Sequence, residues 1–137
     1  MFQLCLMPYG EIQVAAAVIE RDGRILIGQR KRGSWHPLKW EFPGGKVEPG
    51  ESPRDALVRE LREELAIEAV VAEELDRYHI QYPGGILTHL FFFHVTEFSG
   101  EPQNLDFEQI VWERPRLLST YDFLDGDIAF VRKLELT

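Results

Sequence analysis

Blocks of hydrophobic and polar residues along the chain predict a hairpin of strands near the start and a loop before the first helix. Residues 12–20 are a continuous apolar stretch with β-branched members, which is typical of a buried strand. An Asp-Gly turn follows, and residues 25–30 are apolar again, so the two segments are expected to pair as a β-hairpin. Residues 31–39 predict a polar loop, and residues 40–51 predict a short strand followed by a glycine-rich loop.

The clearest helix signal begins at Ser52, a residue type that caps helix N-termini. Pro53 stands at the first helical position and Asp55 three residues after the cap. The helix is then expected to run through residues 54–65. At about 100° per residue, one face is apolar and is formed by Leu57, Val58, Leu61 and Leu65.

The rest of the chain predicts further strands and a closing helix. Residues 68–82 and 85–98 read as two strands around a Pro-Gly-Gly turn, and residues 109–113 as a short strand. Residues 114–120 predict one or two helical turns, and residues 125–136 a final helix. The order of strands, helix, strands and helix predicts an α/β fold with a mixed sheet.

Three glutamates of the long helix, Glu60, Glu63 and Glu64, lie on an arc that borders its apolar face. Like-charge neighbours at this spacing cost roughly 0.2–0.5 kcal/mol per pair on an exposed helix. The common interpretation is a solvated polar face, and the alternative is a cation site. The glycine-rich loop before the helix adds Glu48 and Glu51. Clustered carboxylates with backbone oxygens are what Mg²⁺ and Mn²⁺ prefer, which favours the second interpretation.

Composition and charge limit the possible partners and the expected location of the protein. The 137 residues suit a single domain spanning 1–137, and a net charge of −8 disfavours a nucleic acid polymer as partner. The longest apolar runs fall short of the roughly 18 residues that span a membrane. A single cysteine, Cys5, excludes an intrachain disulfide and favours a cytoplasmic location. A monomer and a homodimer both remain open.

The acidic cluster in an acidic chain indicates a polyphosphate substrate reached through metal ions. Bound metals polarise phosphoryl oxygens and generate hydroxide from water, so the predicted reaction is hydrolysis of a phosphoanhydride. A carboxylate that does not bind metal would then serve as general base. The histidines His79, His89 and His94 lack the spacing of a zinc site.

The loop and helix together resemble the signature of the Nudix hydrolase family, in which glycine, glutamate and an Arg-Glu-x-x-Glu-Glu segment recur at set spacings. The matching positions are Gly45, Glu51, Arg59, Glu60, Leu61, Glu63, Glu64 and Ile67. The one departure is Ala66, where the signature has glycine. Since a left-handed helix end favours glycine, this departure concerns the end of the helix rather than the carboxylates.

The resemblance covers residues 12–135, is strongest over 12–67, and points to the MutT-type, CTP pyrophosphohydrolase-like branch. It implies a Nudix α/β/α sandwich around a central mixed sheet, with the loop–helix–loop motif at 45–67. The implied reaction converts a (deoxy)nucleoside triphosphate to the monophosphate and pyrophosphate, with pyrimidine and modified or oxidised nucleotides as the candidate substrates. The implied cofactor is Mg²⁺, with Mn²⁺ as a substitute.

The resemblance also implies roles for individual residues. Glu60 and Glu64 are expected to bind metal, with Glu63 alongside and the backbone at Gly45 contributing. Glu51 is expected to support the site, braced by Arg59. A further carboxylate, Asp106 or Glu108, is expected to act in catalysis, and the choice between them and a motif glutamate as general base stays open.

The nucleotide pocket is expected to involve Arg30 and the aromatic residues Trp40, Phe42 and Tyr82, although core packing is the alternative for each ring. Asp127 begins the last helix, and an ionised aspartate only accepts hydrogen bonds, which favours a base with an amino donor such as cytosine. Hydrolysis of ADP-ribose or dinucleoside polyphosphates is an alternative activity. A non-catalytic nucleotide-binding module is disfavoured, because every motif glutamate is present.

Overall fold

The computed structural model of the protein describes residues 10–84 and 86–136. Within this part of the chain, nine strands, two α-helices and two short 3₁₀ helices follow one another. The strands are β1 (Glu11–Arg21), β2 (Arg24–Gln29), β3 (Trp40–Glu41), β4 (Gly44–Lys46), β5 (Glu68–Val70), β6 (Glu74–Gln81), β7 (Leu87–Val95), β8 (Glu97–Ser99) and β9 (Gln109–Glu113). The α-helices are α1 (Pro53–Leu65) and α2 (Ile128–Glu135), and the 3₁₀ helices are Pro115–Thr120 and Asp125–Asp127. No helix in the described ranges is long and apolar enough to cross a membrane.

The central sheet is mixed, as predicted. Strands β1 and β7 run parallel, from the pair Glu11 and Leu87 to the pair Ile19 and Val95. The other pairings in this sheet are antiparallel. The strand order is β3-β2-β1-β7-β6, with β4 paired to β1 and β9 paired to β2.

Helices cover both faces of the sheet, which explains the unbroken apolar run in β1. Ala15, Ala17 and Ile19 pack into the core on the α1 side, whereas Ala16 and Val18 pack on the α2 side. Neighbouring residues of a strand point to opposite faces, so a strand covered on both faces needs apolar residues at every position. The predicted α/β/α sandwich is confirmed.

Helix α1 is held to the sheet by three leucines of its apolar face. Leu57, Leu61 and Leu65 are fully buried in the core on this side of the sheet. Burying each leucine side chain stabilises the fold by about 1.5–3 kcal/mol. The orientation of the helix, and therefore of its glutamates, follows from this packing.

The prediction of one strand over 68–82 and another over 85–98 is wrong in detail. The first segment breaks between β5 and β6, where the Ala72 N–H donates to the His94 carbonyl and the His94 N–H donates to the Glu73 carbonyl. The second segment divides into β7 and β8, and β8 pairs with β5 in a separate two-stranded sheet. Apolar periodicity alone does not report such a change of pairing partner. Gly85 of the predicted turn lies outside the described residues.

The start of α1 is formed as the sequence predicts, and its end keeps the left-handed backbone although alanine replaces glycine there. The Ser52 hydroxyl accepts a hydrogen bond of 3.1 Å from the Asp55 N–H, and Pro53 is the first helical residue. At the other end Ala66 adopts the left-handed conformation with φ of +59°, and its N–H donates to the Arg62 carbonyl. An alanine therefore occupies the position at which the left-handed backbone favours glycine.

We predict that Ala66→Gly stabilises the protein. The left-handed conformation costs a residue with a Cβ roughly 1–2 kcal/mol, and the greater freedom of glycine in the unfolded chain offsets about half of that. The exposed Ala66 methyl contributes little packing, so the free energy of unfolding should rise by roughly 0.5–1 kcal/mol in urea titrations. Ala72→Gly, at a backbone with negative φ, is the matched control and should destabilise. A loss of stability in Ala66→Gly would contradict this explanation.

Candidate active site

Strand β4 and helix α1 meet at a distance that only glycine permits. A Cβ on Gly45 would lie 2.3 Å from the carboxyl carbon of Glu60, and one on Gly44 would lie 2.0 Å from the Ala15 carbonyl oxygen. Gly44 also has a φ of +153°, which side chains rarely tolerate. Its N–H donates to Glu64 Oε1 at 3.0 Å. The two glycines therefore let the carboxylates of α1 lie directly against the backbone of β4.

Arg59 braces the loop against the helix, which confirms the predicted contact with Glu51. Its guanidinium binds both carboxylate oxygens of Glu51 at 2.7 and 2.9 Å and donates to the Lys46 carbonyl at 3.0 Å. It also contacts Glu60 at 2.9 Å. Arg59, helped by the N–H of Glu48, lowers the pKa of Glu51 to about 2, so this carboxylate stays ionised at neutral pH. Bidentate hydrogen bonds of this kind fix both the position and the orientation of the Glu51 carboxylate.

Glu64 is the most buried of the motif glutamates, with 8% of its surface exposed. Burial raises its pKa to about 9, and the negative charges of Glu41, Glu60 and Asp106 contribute. The pKa of Glu60 is also raised, mainly by burial, while Arg59 acts in the opposite direction. Removing carboxylates from water costs free energy unless a cation compensates. The seam between β4 and α1 is therefore a site that favours added positive charge.

The donor set fits a hard divalent cation. Glu60 and Glu64 present carboxylate oxygens at the seam beside Gly45 and Gly44, and oxygen donors suit Mg²⁺ or Mn²⁺. Among residues 10–84 and 86–136, no three carboxylate, imidazole or thiol groups converge as a complete metal cage would require. Mg²⁺ ordinarily uses one or two carboxylates and completes its shell with water and substrate phosphates. A partial set of protein ligands is therefore what a magnesium site at a phosphate substrate needs.

A pocket of about 460 Å³ opens beside these carboxylates and extends to the start of α2. Its wall includes seven of the residues that the sequence predicts for the site. These are Arg30, Phe42, Gly45, Glu64, Tyr82, Asp106 and Asp127. The structure thus joins the metal-binding side and the predicted nucleotide side in one cavity.

Trp40 does not line this pocket, so the prediction that it binds substrate is corrected. It is 8% exposed and packs edge-on against Tyr121, with ring centroids 4.8 Å apart. Phe42 reaches the pocket wall but is 3% exposed, and one ring face stacks on Phe123 at 5.3 Å. Both rings belong to the core on the α2 side of the sheet, which is why they are not free to hold a base.

The structure separates the two candidate carboxylates of the loop before β9. Asp106 lines the pocket and lies close enough to Glu64, Glu60 and Glu41 to raise the pKa of each. Glu108 is exposed outside the pocket wall. Glu63 also faces outward, with 58% of its side chain exposed and a contact of 3.4 Å to Arg59. The geometry favours Asp106 over Glu108, and the metal-binding role of Glu63 stays a prediction.

Two pocket residues were missed by reasoning from sequence. Glu41 is the last residue of β3 and lies between Trp40 and Phe42 in the sequence. Its carboxylate binds Arg30 at 3.2 Å inside the pocket. The only signal was a charged residue within an apolar strand. Trp35 lies at the pocket wall with 76% of its surface exposed, and its carbonyl accepts a 2.6 Å hydrogen bond from Arg30. Its position depends on the path of the 31–39 loop, which the sequence does not determine.

An α/β/α sandwich that buries glutamates against a glycine-containing strand fits a hydrolase of phosphate compounds. The NUDIX domain model matches residues 11–134. The CTP pyrophosphohydrolase of Escherichia coli K12 is 48% identical over 120 residues, which is 88% of each chain. The 8-oxo-dGTP diphosphatase of Haemophilus influenzae is 38% identical over 124 residues, 90% of each chain. The solution structure of the E. coli ORF135 protein matches with a TM-score of 0.82 and 44% identity, covering 90% of this chain and 88% of the other.

The chain therefore belongs to the Nudix family, and it is a hydrolase that acts on acid anhydrides. The family resemblance and the fold predicted from the motif at 45–67 are both confirmed.

Asp127 provides a test of the electrostatics of the pocket. It is 6% exposed, and burial raises its pKa well above that of an ordinary aspartate, with a contribution from Glu41 and an opposing one from the Phe42 N–H. An acid with a raised folded-state pKa stabilises the fold fully below its unfolded pKa, near 4. That stability is lost as the pH rises toward the folded-state value.

We predict that Asp127→Asn becomes more stable, relative to wild type, as the pH rises above about 4, the unfolded-state pKa of aspartate. Asparagine stays neutral, and each unit by which the folded pKa exceeds the unfolded pKa contributes about 1.4 kcal/mol to the difference. Urea unfolding of both proteins at several pH values measures it. If the difference in unfolding free energy between Asp127→Asn and wild type does not change with pH, the assignment of Asp127 as a buried carboxyl group with a raised pKa is contradicted.

Proposed function

We propose that the protein hydrolyses nucleoside triphosphates to the monophosphate and pyrophosphate with Mg²⁺, and that it prefers cytosine nucleotides. The observation that carries this proposal is a single pocket whose wall includes Glu64 and Gly45 of the carboxylate seam together with Asp127 at the start of α2. A triphosphate bound through metal at Glu64 would then have its base within the same cavity as Asp127.

In this proposal Glu60 and Glu64 hold the metal, with the backbone at Gly45 beside them. Bound Mg²⁺ would polarise the phosphoryl oxygens and lower the pKa of a bound water. Arg59 keeps Glu60 and Glu51 in place through the contacts described above. Asp106, exposed at the pocket wall near Glu64 and Glu60, is the proposed general base. Arg30 lies at the same wall, where a guanidinium can bind phosphate or the base.

The base end contains two carboxyl groups that influence each other. Glu41 and Asp127 both line the pocket, and the pKa of each is raised mainly by burial. One ionised and one protonated carboxyl group provide an acceptor and a donor. Cytosine presents an amino donor at N4 beside an acceptor at N3, which matches this pair. The match supports the cytosine preference.

A stacking partner for the base is supplied by Trp35 in this proposal. Phe42 is committed to the core, whereas Trp35 is exposed at the pocket wall beside His36, with ring centroids 5.6 Å apart. The His36 ring lies 5.6 Å from that of Tyr82, so these aromatic groups form one rim of the pocket. An aromatic ring that stacks on a base contributes affinity without regard to base identity.

The testing experiment is a screen that measures both pyrophosphate and AMP release, with and without Mg²⁺. The substrates are CTP, dCTP, 5-methyl-dCTP, dGTP, 8-oxo-dGTP and ADP-ribose. Wild type is expected to require the metal and to show its highest kcat/KM on a cytosine nucleotide.

Asp127→Asn should reduce that preference, because the amide changes the donors and acceptors at the base edge. Trp35→Ala should raise KM about tenfold for every nucleotide, as expected from lost stacking, with little change in kcat.

Trp35→Phe is the matched control, since it keeps an aromatic face and should retain a KM close to wild type. A clear lead for 8-oxo-dGTP in wild type would overturn the cytosine preference and leave the hydrolase intact. A lead for ADP-ribose, with release of AMP rather than pyrophosphate, would replace the triphosphate proposal by the alternative activity.

A further inference from the structure

A second depression, of about 700 Å³, lies at the turn of the β1–β2 hairpin. It shares no lining residue with the pocket of the active site. Arg21 follows Ala16 of the active-site pocket by five residues along β1, which corresponds to roughly 16 Å at the rise of a strand. Four arginines are part of the wall of this second depression. The lining residues are Arg21, Asp22, Gly23, Arg24, Trp112, Arg114, Pro115, Arg116 and Glu135.

The arginines come from neighbouring elements. Arg21 ends β1 and is directly opposite Arg24 of β2. Arg114 follows Glu113, the last residue of β9, which is opposite Ile25 of β2, and Arg116 lies in the 3₁₀ helix Pro115–Thr120. Like charges directly opposite one another destabilise a sheet. An anion that lies between them would remove that repulsion.

Three of these guanidinium groups are available to a ligand. Arg21 is bound at both nitrogens by Glu101, at 2.9 and 3.0 Å. Arg24, Arg114 and Arg116 are exposed and make no ion pair within the described ranges, 10–84 and 86–136.

Acidic groups in and around the depression have hydrogen-bond partners or lie beside the arginines. The pKa of Glu113 is lowered first by the Tyr121 hydroxyl and also by the nearby charges of Arg24 and Arg114, which leaves these two guanidinium groups partly compensated. Glu113 accepts hydrogen bonds from the Tyr121 hydroxyl at 2.6 Å and from the Arg114 N–H at 2.8 Å. Glu135 accepts a hydrogen bond from the Ser119 hydroxyl. Asp22 lies close enough to Arg21 to raise its pKa.

The wall also indicates which part of a ligand it recognises. The only aromatic ring in it is Trp112, and the Arg21 guanidinium covers that ring at 4.4 Å from its centroid. A base would therefore find no free ring to stack on, and an apolar peptide side chain would find little beyond Pro115. Guanidinium groups instead match phosphate oxygens in geometry and charge.

We propose that this depression binds a chain of two or three phosphates through Arg24, Arg114 and Arg116. The chain is either free pyrophosphate or triphosphate, or the phosphate tail of a nucleotide. The site is separate from catalysis, and its recognition depends on the phosphates rather than on the base.

Isothermal titration calorimetry with inorganic triphosphate, in EDTA and without divalent cations, tests the proposal on the full chain. Without metal the carboxylate seam repels the anion, so binding reports on the depression. Wild type should bind one triphosphate, and the double variant Arg24→Ala/Arg114→Ala should bind at least tenfold more weakly. Arg116→Ala alone is a milder variant that should also weaken binding. Titrations with pyrophosphate and with CTP distinguish the sources, since equal affinity for triphosphate and CTP is expected if only the phosphates are read.

Lys31→Ala/Arg32→Ala removes two exposed cations from a different loop and should leave the affinity unchanged. Melting curves show whether each variant is folded. The proposal is overturned if wild type does not bind inorganic triphosphate, or if the control variant loses as much affinity as Arg24→Ala/Arg114→Ala. It is also overturned if CTP binds while inorganic triphosphate does not, because the base would then be the recognised group.

Discussion

The contact between helix α1 and strand β4 is the constraint on which the rest of the site depends. The leucines of α1 fix the helix on the sheet, Gly45 leaves room for the Glu60 carboxylate against β4, and Gly44 lets β4 lie close to β1. Glu60 and Glu64 are carried into the seam by this packing, and Arg59 and the Gly44 N–H hold their carboxylates there. Hydrophobic burial of the leucines offsets the cost of placing carboxylates out of water.

The same packing explains the electrostatics of the pocket. Glu64, Glu60, Glu41 and Asp127 are all removed from water to a degree that raises their pKa. Arg59 neutralises part of this charge beside the loop that precedes α1. Its two hydrogen bonds to the Glu51 carboxylate hold that loop to the helix. In the proposed function, a divalent cation bound here would stabilise the site and attract an anionic substrate to an acidic protein. The proposed chemistry thus depends on a local excess of negative charge, whose cost the well-packed core offsets.

Features that depend on neighbours in sequence were predictable. The Ser52 cap and the Arg59–Glu51 contact both arise within one loop and one helix. The continuous apolar run of β1 likewise reported a strand covered on both faces.

Features that depend on distant partners were not predictable. Trp40 and Phe42 were expected to hold a base, but their burial depends on Tyr121 and Phe123, some eighty residues away. The break between β5 and β6 depends on where β8 lies. Glu41 affects the pKa of Asp127 only because the fold brings the two residues close together.

The central claim is that the buried carboxylates of α1 are arranged to bind a metal rather than to stabilise the fold. Glu64→Gln tests it most directly, because glutamine keeps the shape and can still accept from the Gly44 N–H. The variant is expected to be as stable as wild type or more stable, since a buried charge is removed, and to lose Mg²⁺-dependent pyrophosphate release more than about a hundredfold. Turnover close to that of wild type in a folded Glu64→Gln protein would contradict the account.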